Sequence, residues 1–485
     1  MRPSEHRAPV VVVVIVVAVG AVATLMVSCA PPPVVGDVDA LPLIHAHGGK
    51  LVDALGRERV LRGVNVRAAG VFDVGFSDGR TAVEDVPSFG DDDAARIRAL
   101  GFSFVRLPIS WSGLEPTEGV IDDAYLARVA DVVAHNRARG LYTLIDFHQD
   151  AYSKEIGEDG APLWAIVPTP TTAQLLEGPL SSTDLGARRR SQPVLDAFAS
   201  LFRDDDHLQA RFEPALAAVV DRFADDDAVV GFELMNEPVA FTLNNGAALL
   251  DAFSIRMAAV VRAHDARHAI WIEPDALRNG ILAAPIREAP FPDDNVVYAP
   301  HLYPVLAGSH DTRDAWIDAL SNTFTSLRAE VDSWGAALAL GEWGAYSDDA
   351  TAASYAAAVH LLVDELNGSD AVWLWKETSQ DHWGFFADDG SERASAQLFV
   401  HPYALAVPGA LSKQAWDDAT QTFTVDFDAD LIVTTASGPV IDVPTSTFPE
   451  GFTVTLDGVD VPGLAPGRIA LPWTPTAGPH HIVVR

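Results

Sequence analysis

Between residues 61 and 376 the chain repeats one pattern: a short run rich in β-branched residues, then, in most cases, a longer amphipathic stretch. The short runs fall at 61–66, 102–109, 141–148, 228–237, 269–273, 296–301, 336–342 and 372–376. β-Branched side chains pack well on a pleated strand, and amphipathic stretches of this length read as helices. Parallel strands cannot be joined by a tight turn, so an alternation of strand and helix implies βα units around a parallel sheet.

The helix ends support this reading. Segment 91–100 has an acidic first turn and stops at Gly101, and segment 123–139 stops at Gly140, the residue type expected just past a helix end. Further helices are expected at 196–223, 247–264, 311–333 and 351–366, whereas the stretch after the fifth strand is too short and Pro-rich for a full helix. Eight such units fit a (β/α)8 TIM barrel with insertions. A doubly wound open sheet would need a Gly-rich phosphate loop after its first strand, and Val66-Arg67-Ala68-Ala69 is not one.

The flanks differ. Beyond Pro408 the helical pattern vanishes, and short strands are expected at 423–427, 431–435, 452–456 and 481–484 between Gly/Pro/Asp turns. The fold class is therefore α/β, a TIM barrel spanning 43–407 followed by a small C-terminal β-sandwich at 408–485. Segment 50–61 reads as a hairpin that plugs the barrel floor, and 30–42 as a Pro-rich linker. Residues 1–29 read as a signal peptide: Arg2 and Arg7, an apolar run at 10–27, then Ser28-Cys29-Ala30. A cysteine in that place resembles a lipoprotein cleavage site, although Met26 stands where Leu is usual. The expectation is a bacterial protein that is secreted or held at the cell surface by a lipidated Cys29, the lipid supplying membrane association. An ordinary signal peptide or an uncleaved anchor is the alternative. Cys29 is the sole cysteine, so no intramolecular disulfide forms.

A formal net charge of −34 repels phosphate backbones, so no nucleic-acid partner is expected. A monomer is expected, with no cofactor and no metal. His45-x-His47 and Asp146-x-His148 have ligand-like spacing, but no further ligand motif at the strand ends completes a site.

Functional groups of such barrels collect where strands end. The fourth strand ends Asn236-Glu237-Pro238 and the seventh ends Gly341-Glu342-Trp343-Gly344, so each places a carboxylate at the barrel mouth. Strands four and seven face each other across an eight-stranded mouth. Retaining glycosidases need two carboxyls about 5–5.5 Å apart, one as nucleophile and one as acid, then base. A single glutamate after a strand is more often a surface or capping residue; this pair on these two strands is not read that way.

With those residues the chain resembles glycoside hydrolase family 5 and its clan. Glu237 matches the acid/base signature and Glu342 the nucleophile motif. Phe104-Val105-Arg106-Leu107-Pro108 resembles the strand-two arginine segment, Asp146-Phe147-His148-Gln149-Asp150 the strand-three histidine motif, His301-Leu302-Tyr303 the strand-six motif, and Trp373-Leu374-Trp375 the strand-eight platform. The matches run in order from about residue 49 to 386. The resemblance implies that Arg106 favours the charged form of Glu342, that Tyr303 donates to it, and that Asn236 bonds the sugar 2-OH. Glu237 is expected to carry a raised pKa so that it rests protonated. Trp375 is expected beneath the sugar ring and Trp373 in the core, because neighbours on a strand point oppositely. Asp146, His148, Asp150, His301 and Lys376 complete the expected substrate-binding set. His148 has the alternative of a purely structural place, and Lys376 that of a salt bridge.

Within the family, Asp146–Ser153, Asp159-Gly160-Ala161-Pro162-Leu163-Trp164-Ala165 and Trp373-Leu374-Trp375-Lys376-Glu377 resemble the endoglycoceramidase branch. That branch implies hydrolysis between oligosaccharide and ceramide in glycosphingolipids, through a covalent glycosyl-enzyme. Loops 161–176 and 239–250 are apolar enough to hold lipid tails, or else pack on one another. The segment Val66–Gly79 departs from the branch, which leaves the glycan series open. The alternatives are a polysaccharide hydrolase of the same clan, an endo-β-glucanase or mannanase, and a non-catalytic carbohydrate-binding surface lipoprotein.

Overall fold

The computed structural model describes residues 37–177, 182–280, 283–303, 307–377, 383–387, 389–430 and 437–485. The expected signal peptide, Cys29 and the expected strand at 431–435 lie outside the described residues.

Eight parallel strands close into a barrel. In chain order β1 (Ile44–His47), β2 (Lys50–Asp53) and β3 (Arg57–Arg59) precede it, and the barrel is β4 (Arg62–Asn65), β5 (Phe104–Ile109), β6 (Tyr142–Phe147), β7 (Val229–Glu233), β8 (Ala269–Ile272), β9 (Val296–Tyr298), β10 (Ala337–Trp343) and β11 (Ser369–Val372). β10 pairs with β11, and β11 with β4, which completes the ring. The last strand sits earlier than the sequence pattern suggested: its register pairs Asp370, Ala371 and Val372 with Arg62, Gly63 and Val64, and it ends at Val372. Trp373-Leu374-Trp375 therefore lies beyond the strand, where period-two alternation no longer applies, and the Trp373–Leu374 peptide is cis.

The helices are α1 (Asp91–Ala99), α2 (Trp111–Leu114), α3 (Asp123–Ala138), α4 (Ser182–Arg188), α5 (Gln192–Arg203), α6 (Leu208–Phe223), α7 (Gly246–His264), α8 (Arg313–Trp334) and α9 (Ala352–Glu365). Their termini follow from local chemistry. Asp122 Oδ1 accepts from the N–H groups of Ala124 and Tyr125 at the start of α3. α8 starts under Thr312 and ends at Gly335, whose φ of +67° suits glycine. The helix expected over 196–223 breaks in two because Asp204, Asp206 and His207 turn left-handed; the Asp204 carboxylate then accepts from Gln209 N–H and pairs with Arg256. Among the described residues between β8 and β9 the helical structure is a 3₁₀ turn at Ala276–Gly280, in keeping with the Pro-rich stretch.

Two antiparallel sheets lie at the floor of the barrel. β12 (Tyr403–Pro408), β15 (Val440–Val443) and β18 (Gly467–Ala470) join β1–β3 in one sheet. β13 (Ala410–Asp417), β14 (Thr422–Ala429), β16 (Val454–Leu456), β17 (Val459–Asp460) and β19 (Gly478–Val484) form the other. The N-terminal hairpin thus belongs to the sandwich, because β3 pairs with β12. It also closes the barrel floor: Ile44 and Leu51 share one buried cluster with Phe104, Trp271, Val297 and Ala337 of the barrel and with Phe423, Val425 and Ile482 of the sandwich. The two parts have a common core there, and the boundary expected at residue 408 falls inside continuous packing. None of the helices among the described residues is long and apolar enough to cross a membrane.

Candidate active site

The strand ends converge on a guanidinium. Arg106, on β5, has a fully buried side chain. Its Nε donates to Glu233 Oε2 (2.7 Å), its Nη1 to Glu342 Oε1 (2.6 Å) and Asn65 Oδ1 (2.9 Å), and its Nη2 to Asn236 Oδ1 (2.9 Å). Nη2 also lies 3.0 Å from Asp146 and 3.4 Å from Glu273. Burial disfavours its charge, but the carboxylates of Asp146, Glu233, Glu342 and Glu273 outweigh burial and hold it well above the usual arginine range. Arg106 is thus a fixed positive charge that organises the cluster.

Glu342 receives Arg106 on one oxygen and Tyr303 Oη (2.9 Å) on the other, both as donors to a carboxylate. Burial and the adjacent Glu342 charge push the Tyr303 phenol well above its ordinary value, so it stays a donor. Glu237 sits opposite. Asn279 Nδ2 donates to its Oε1 (3.0 Å), and His301 Nδ1 lies 3.0 Å from that oxygen and 3.4 Å from Glu342 Oε2. Ligating atoms of Glu237, His301 and Glu342 all fall within 4.8 Å of one another. One oxygen of each carboxyl thus lies within 4.8 Å of the other, nearer to the separation of a retaining pair, about 5–5.5 Å, than to that of an inverting one, about 6.5–9.5 Å.

The backbone at Glu237 is held from below. Its φ of +38° is left-handed, an uncommon state for a residue with a side chain. Gln149 Nε2 donates to the carbonyls of Asn236 (2.6 Å) and Glu237 (3.0 Å), while Asn236 Nδ2 donates back to Gln149 O (2.9 Å). This reciprocal clamp fixes the segment.

Glu237 does not carry the raised pKa expected of it. Burial would push its carboxyl up, but the hydrogen bond and charge of His301 outweigh burial, and Arg189 adds to them, so it lies below the ordinary value. His301 in turn is raised well above its usual value, because Glu273, Glu342 and Glu237 together overcome burial.

The third-strand motif forms a second polar group. His148 Nδ1 meets Asp146 Oδ2 (2.6 Å) and its Nε2 meets Asp150 Oδ2 (3.3 Å), which raises His148 well above its usual value despite burial. Asp150 and Glu158 both pair with Arg189 (2.9 and 3.0 Å). Burial raises Glu158 to about 7, whereas Arg189 and His148 hold Asp150 below its usual range against burial. The His148–Asp150–Asp159 and Glu233–Glu273–His301 groups also have ligand-like spacing. His148 and His301 already face carboxylates through both ring nitrogens, so an ion would have to displace those contacts.

A cavity of about 500 Å³ opens over these residues, lined by Asp150, Arg189, Glu237, Tyr303, Glu342 and Trp373 and walled by Tyr346 and Trp383. The strand-eight residues divide differently from expectation. Trp373 faces the cavity, its ring stacked on His148 at 5.8 Å and 8°. Trp375 is only 1% exposed and donates through Nε1 to Asp93 Oδ1 (3.0 Å). Lys376 pairs with the same Asp93, which assigns it to the salt bridge rather than to the expected substrate-binding set. Sequence reading missed Arg189, Asn279, Glu273, Trp383 and Tyr346. Of these only Glu273, in Ile272-Glu273-Pro274 at a strand end, carried the signal that marked Glu237.

The apolar loops mostly pack inward: Ala161, Ala165, Ile166, Leu176, Ala240 and Leu250 are buried. Leu163 (44% exposed) and Phe241 (44%) remain at the surface, as does Leu277 (45%) on the loop after β8. The Asp275 carboxylate clips the Phe241 and Leu277 loops together by accepting from Ala240 N–H (2.8 Å) and Leu277 N–H (3.0 Å).

A parallel barrel with a close carboxylate pair at its mouth defines a glycoside hydrolase of the retaining type. Residues 75–379 match the cellulase family, glycosyl hydrolase family 5, and the chain belongs to it. It is similar to endoglycoceramidases of that family. Endoglycoceramidase I of Rhodococcus hoagii is 26% identical over 474 residues, covering 90% of this chain and 87% of the relative. The structure of endo-glycoceramidase II from a Rhodococcus species superposes with a TM-score of 0.73 at 28% identity, over 89% of this chain and 98% of that one. That enzyme is also known as a lactosyl-enzyme intermediate and in complex with ganglioside GM3. An endogalactoceramidase structure matches with a TM-score of 0.72 at 25% identity, over 92% of this chain and all (100%) of that one.

Proposed function

We propose that this protein cleaves the β-glycosidic bond between oligosaccharide and ceramide in glycosphingolipids by double displacement, with Glu342 as nucleophile and Glu237 as acid, then base. The observation that carries the reading is the carboxylate pair within 4.8 Å, one partner gripped by Arg106 and Tyr303 and the other by His301 and Asn279. Glu342, both of whose oxygens accept hydrogen bonds from Arg106 and Tyr303, attacks the anomeric carbon while Glu237 protonates the leaving oxygen; Glu237 then takes a proton from the water that releases the sugar. Donors aimed at Glu342 orient its lone pairs without reorganisation.

Ceramide as the leaving group is supported by the relatives and by apolar surface at the barrel mouth. The leaving oxygen must approach the Glu237 carboxyl, and Phe241 and Leu277 are exposed apolar side chains on the loops after β7 and β8, which Asp275 joins. Each methylene buried there contributes about 0.8 kcal/mol. Trp373, Asp150 and His148 form the polar and aromatic side suited to sugar. Export, with Cys29 as lipid anchor, is part of the proposal and is supported by residues 1–29, which would bring the enzyme to membranes that contain its substrate.

The test is to incubate the protein with lactosylceramide, a 6-linked galactosylceramide and cellotetraose in detergent, with Glu237→Gln and Glu342→Gln as blanks. Release of whole oligosaccharide plus ceramide, absent in both variants, is the expected result. Cleavage of cellotetraose alone would move the substrate to polysaccharide while keeping the two glutamates.

A further inference from the structure

We infer that His301 stores, on Nδ1, the proton that Glu237 delivers to the leaving oxygen, and that Glu273 is a positioning residue that keeps it there. The inference rests on the glutamate roles proposed above and adds where the acid's proton resides in the free enzyme.

The geometry starts at Glu237 Oε1, which faces two nitrogens, Asn279 Nδ2 and His301 Nδ1, each at 3.0 Å. The orientation of the Asn279 amide is fixed independently, because its Oδ1 accepts from His301 N–H (3.2 Å). Its NH₂ therefore points at Glu237 as an obligatory donor. Asn279 donates to Oε1 whatever the state of the ring, and with the proton on Nδ1, as inferred, Oε1 accepts a second hydrogen bond and carries no proton of its own at rest. Asn279 cannot release a proton, and His301 can.

The other side of the ring explains why the proton waits there. His301 Nε2 lies 3.0 Å from Glu273 Oε1, in ion-pair contact but without hydrogen-bond alignment. The ring is fully buried, and the titratable and charged groups facing it are Glu237 from the loop after β7, Glu273 from the end of β8, Glu342 from β10 and, on its own segment, Tyr303. Arg106, on β5, reaches it only through Glu273 and Glu342. Three carboxyls around one imidazole favour the imidazolium. Gly341 makes the position available, since a Cβ there would come within 3.0 Å of Nε2.

The proton balance of the cycle then closes locally. In the first displacement the bond from C1 to the leaving oxygen breaks and a bond from C1 to Glu342 forms, which consumes the Glu342 charge. His301 loses the anion that held its charge and passes its Nδ1 proton to Glu237 Oε1. The terminal torsion of a glutamate is broad, so a turn of the carboxyl presents the proton to the leaving oxygen. His301 is now neutral, and the buried anion and cation have disappeared together, so neither is left unpaired. In the second displacement water attacks C1, its proton goes to Glu237 and on to His301, and Glu342 leaves as a carboxylate.

The experiment compares the wild-type chain, His301→Gln and the isosteric Glu273→Gln on two substrates of the same sugar: the lipid glycoside that the wild type cleaves, and its 2,4-dinitrophenyl glycoside. A dinitrophenolate leaves without a proton, so only the lipid substrate needs the stored one. Each variant should lose on the order of 10²-fold or more in kcat/KM on the lipid glycoside, the range of general acid catalysis, and less than about tenfold on the dinitrophenyl glycoside. In Glu273→Gln the alkaline limb of kcat/KM on the lipid glycoside should move to lower pH, because removing an anion weakens the hold of His301 on its proton. Thermal unfolding confirms that the variants are folded; if His301→Gln is not, Glu273→Gln decides alone. Equal losses on both substrates, or an unmoved alkaline limb, overturn the inference. A wild-type chain that cleaves neither substrate overturns the glycosidase reading and this inference with it. A wild type that cleaves both, with insensitive variants, overturns this inference alone.

Discussion

Replacing Arg106 by methionine keeps most of the side-chain volume and removes a guanidinium that four buried carboxylates share. Glu233, Glu342, Asp146 and Glu273 lie 2.7, 2.6, 3.0 and 3.4 Å from its nitrogens, and the guanidinium itself is fully buried. Breaking a buried ion pair from one side costs about 3–5 kcal/mol, since the remaining charge stays desolvated. For a chain of this size that loss corresponds to a fall in Tm on the order of 5 °C. The penalty also has a pH signature. Burial already raises Glu233 and Glu273 above the usual carboxyl range, and Arg106 pulls both down. Without it they rise further, so the folded state binds more protons than the unfolded chain above about pH 4.5, and stability falls as pH rises. Calorimetry of both proteins from pH 4.5 to 8 should therefore show the smallest gap in Tm at the acid end and the largest near neutrality. A gap constant across that range would refute the charge argument and leave lost packing as the cause.

Tyr303→Phe removes the hydroxyl donor from Glu342 Oε2; a hydrogen bond to a charged acceptor contributes about 1.5–3 kcal/mol, so kcat/KM should fall roughly 10- to 100-fold, measured on an aryl glycoside, with unfolding temperature nearly unchanged. Trp373→Ala should impair turnover of sugar substrates and, because the ring is largely buried against His148, destabilise the fold by about 3–5 kcal/mol, whereas Trp375→Phe should destabilise it by about 1 kcal/mol through the lost bond to Asp93 and leave KM alone, as steady-state kinetics and denaturant titration would show. At the barrel foot His360 and His401 stack at 4.0 Å, and burial holds both well below the usual histidine value. A histidine neutral in the fold but charged when unfolded costs stability as pH falls below about 6.5, by up to roughly 1.4 kcal/mol per pH unit. His360→Phe should flatten the acid limb of the stability profile between pH 6.5 and 4.5, and an unchanged slope would refute the reading that His360 is neutral in the fold over that range.

The barrel and its two glutamates were legible because both depend on local pattern. Strands and helices announce themselves by composition and terminators, and a closed parallel barrel brings the residues after strands four and seven face to face whatever lies between them. What depended on exact register was not legible. The reading of Trp373 as core and Trp375 as platform required the strand to continue through residue 376, yet pairing of Val372 with Val64 marks its last rung, and the chain beyond it turns Trp373 toward His148. Lys376 was placed in the substrate-binding set with a salt bridge as its alternative, but its partner in space is Asp93 on α1, nearly three hundred residues earlier, and no local signal connects them. Arg189, Tyr346 and Trp383 reach the cavity from loops whose course follows from tertiary packing alone.

The error about Glu237 has a more general cause. Read one residue at a time, an acid catalyst must be protonated, and burial beside another carboxylate raises its pKa. That argument assumes the two carboxylates are each other's nearest charges. Here an imidazole stands between them, 3.0 Å from one and 3.4 Å from the other, and its far nitrogen faces a third carboxyl, Glu273. The quantity that catalysis requires is one transferable proton in the group, at a place from which it reaches the leaving oxygen when Glu342 loses its charge. A raised carboxyl pKa is one way to hold that proton. An imidazolium whose charge is maintained by the nucleophile itself is another, and it couples release of the proton to attack at the anomeric carbon.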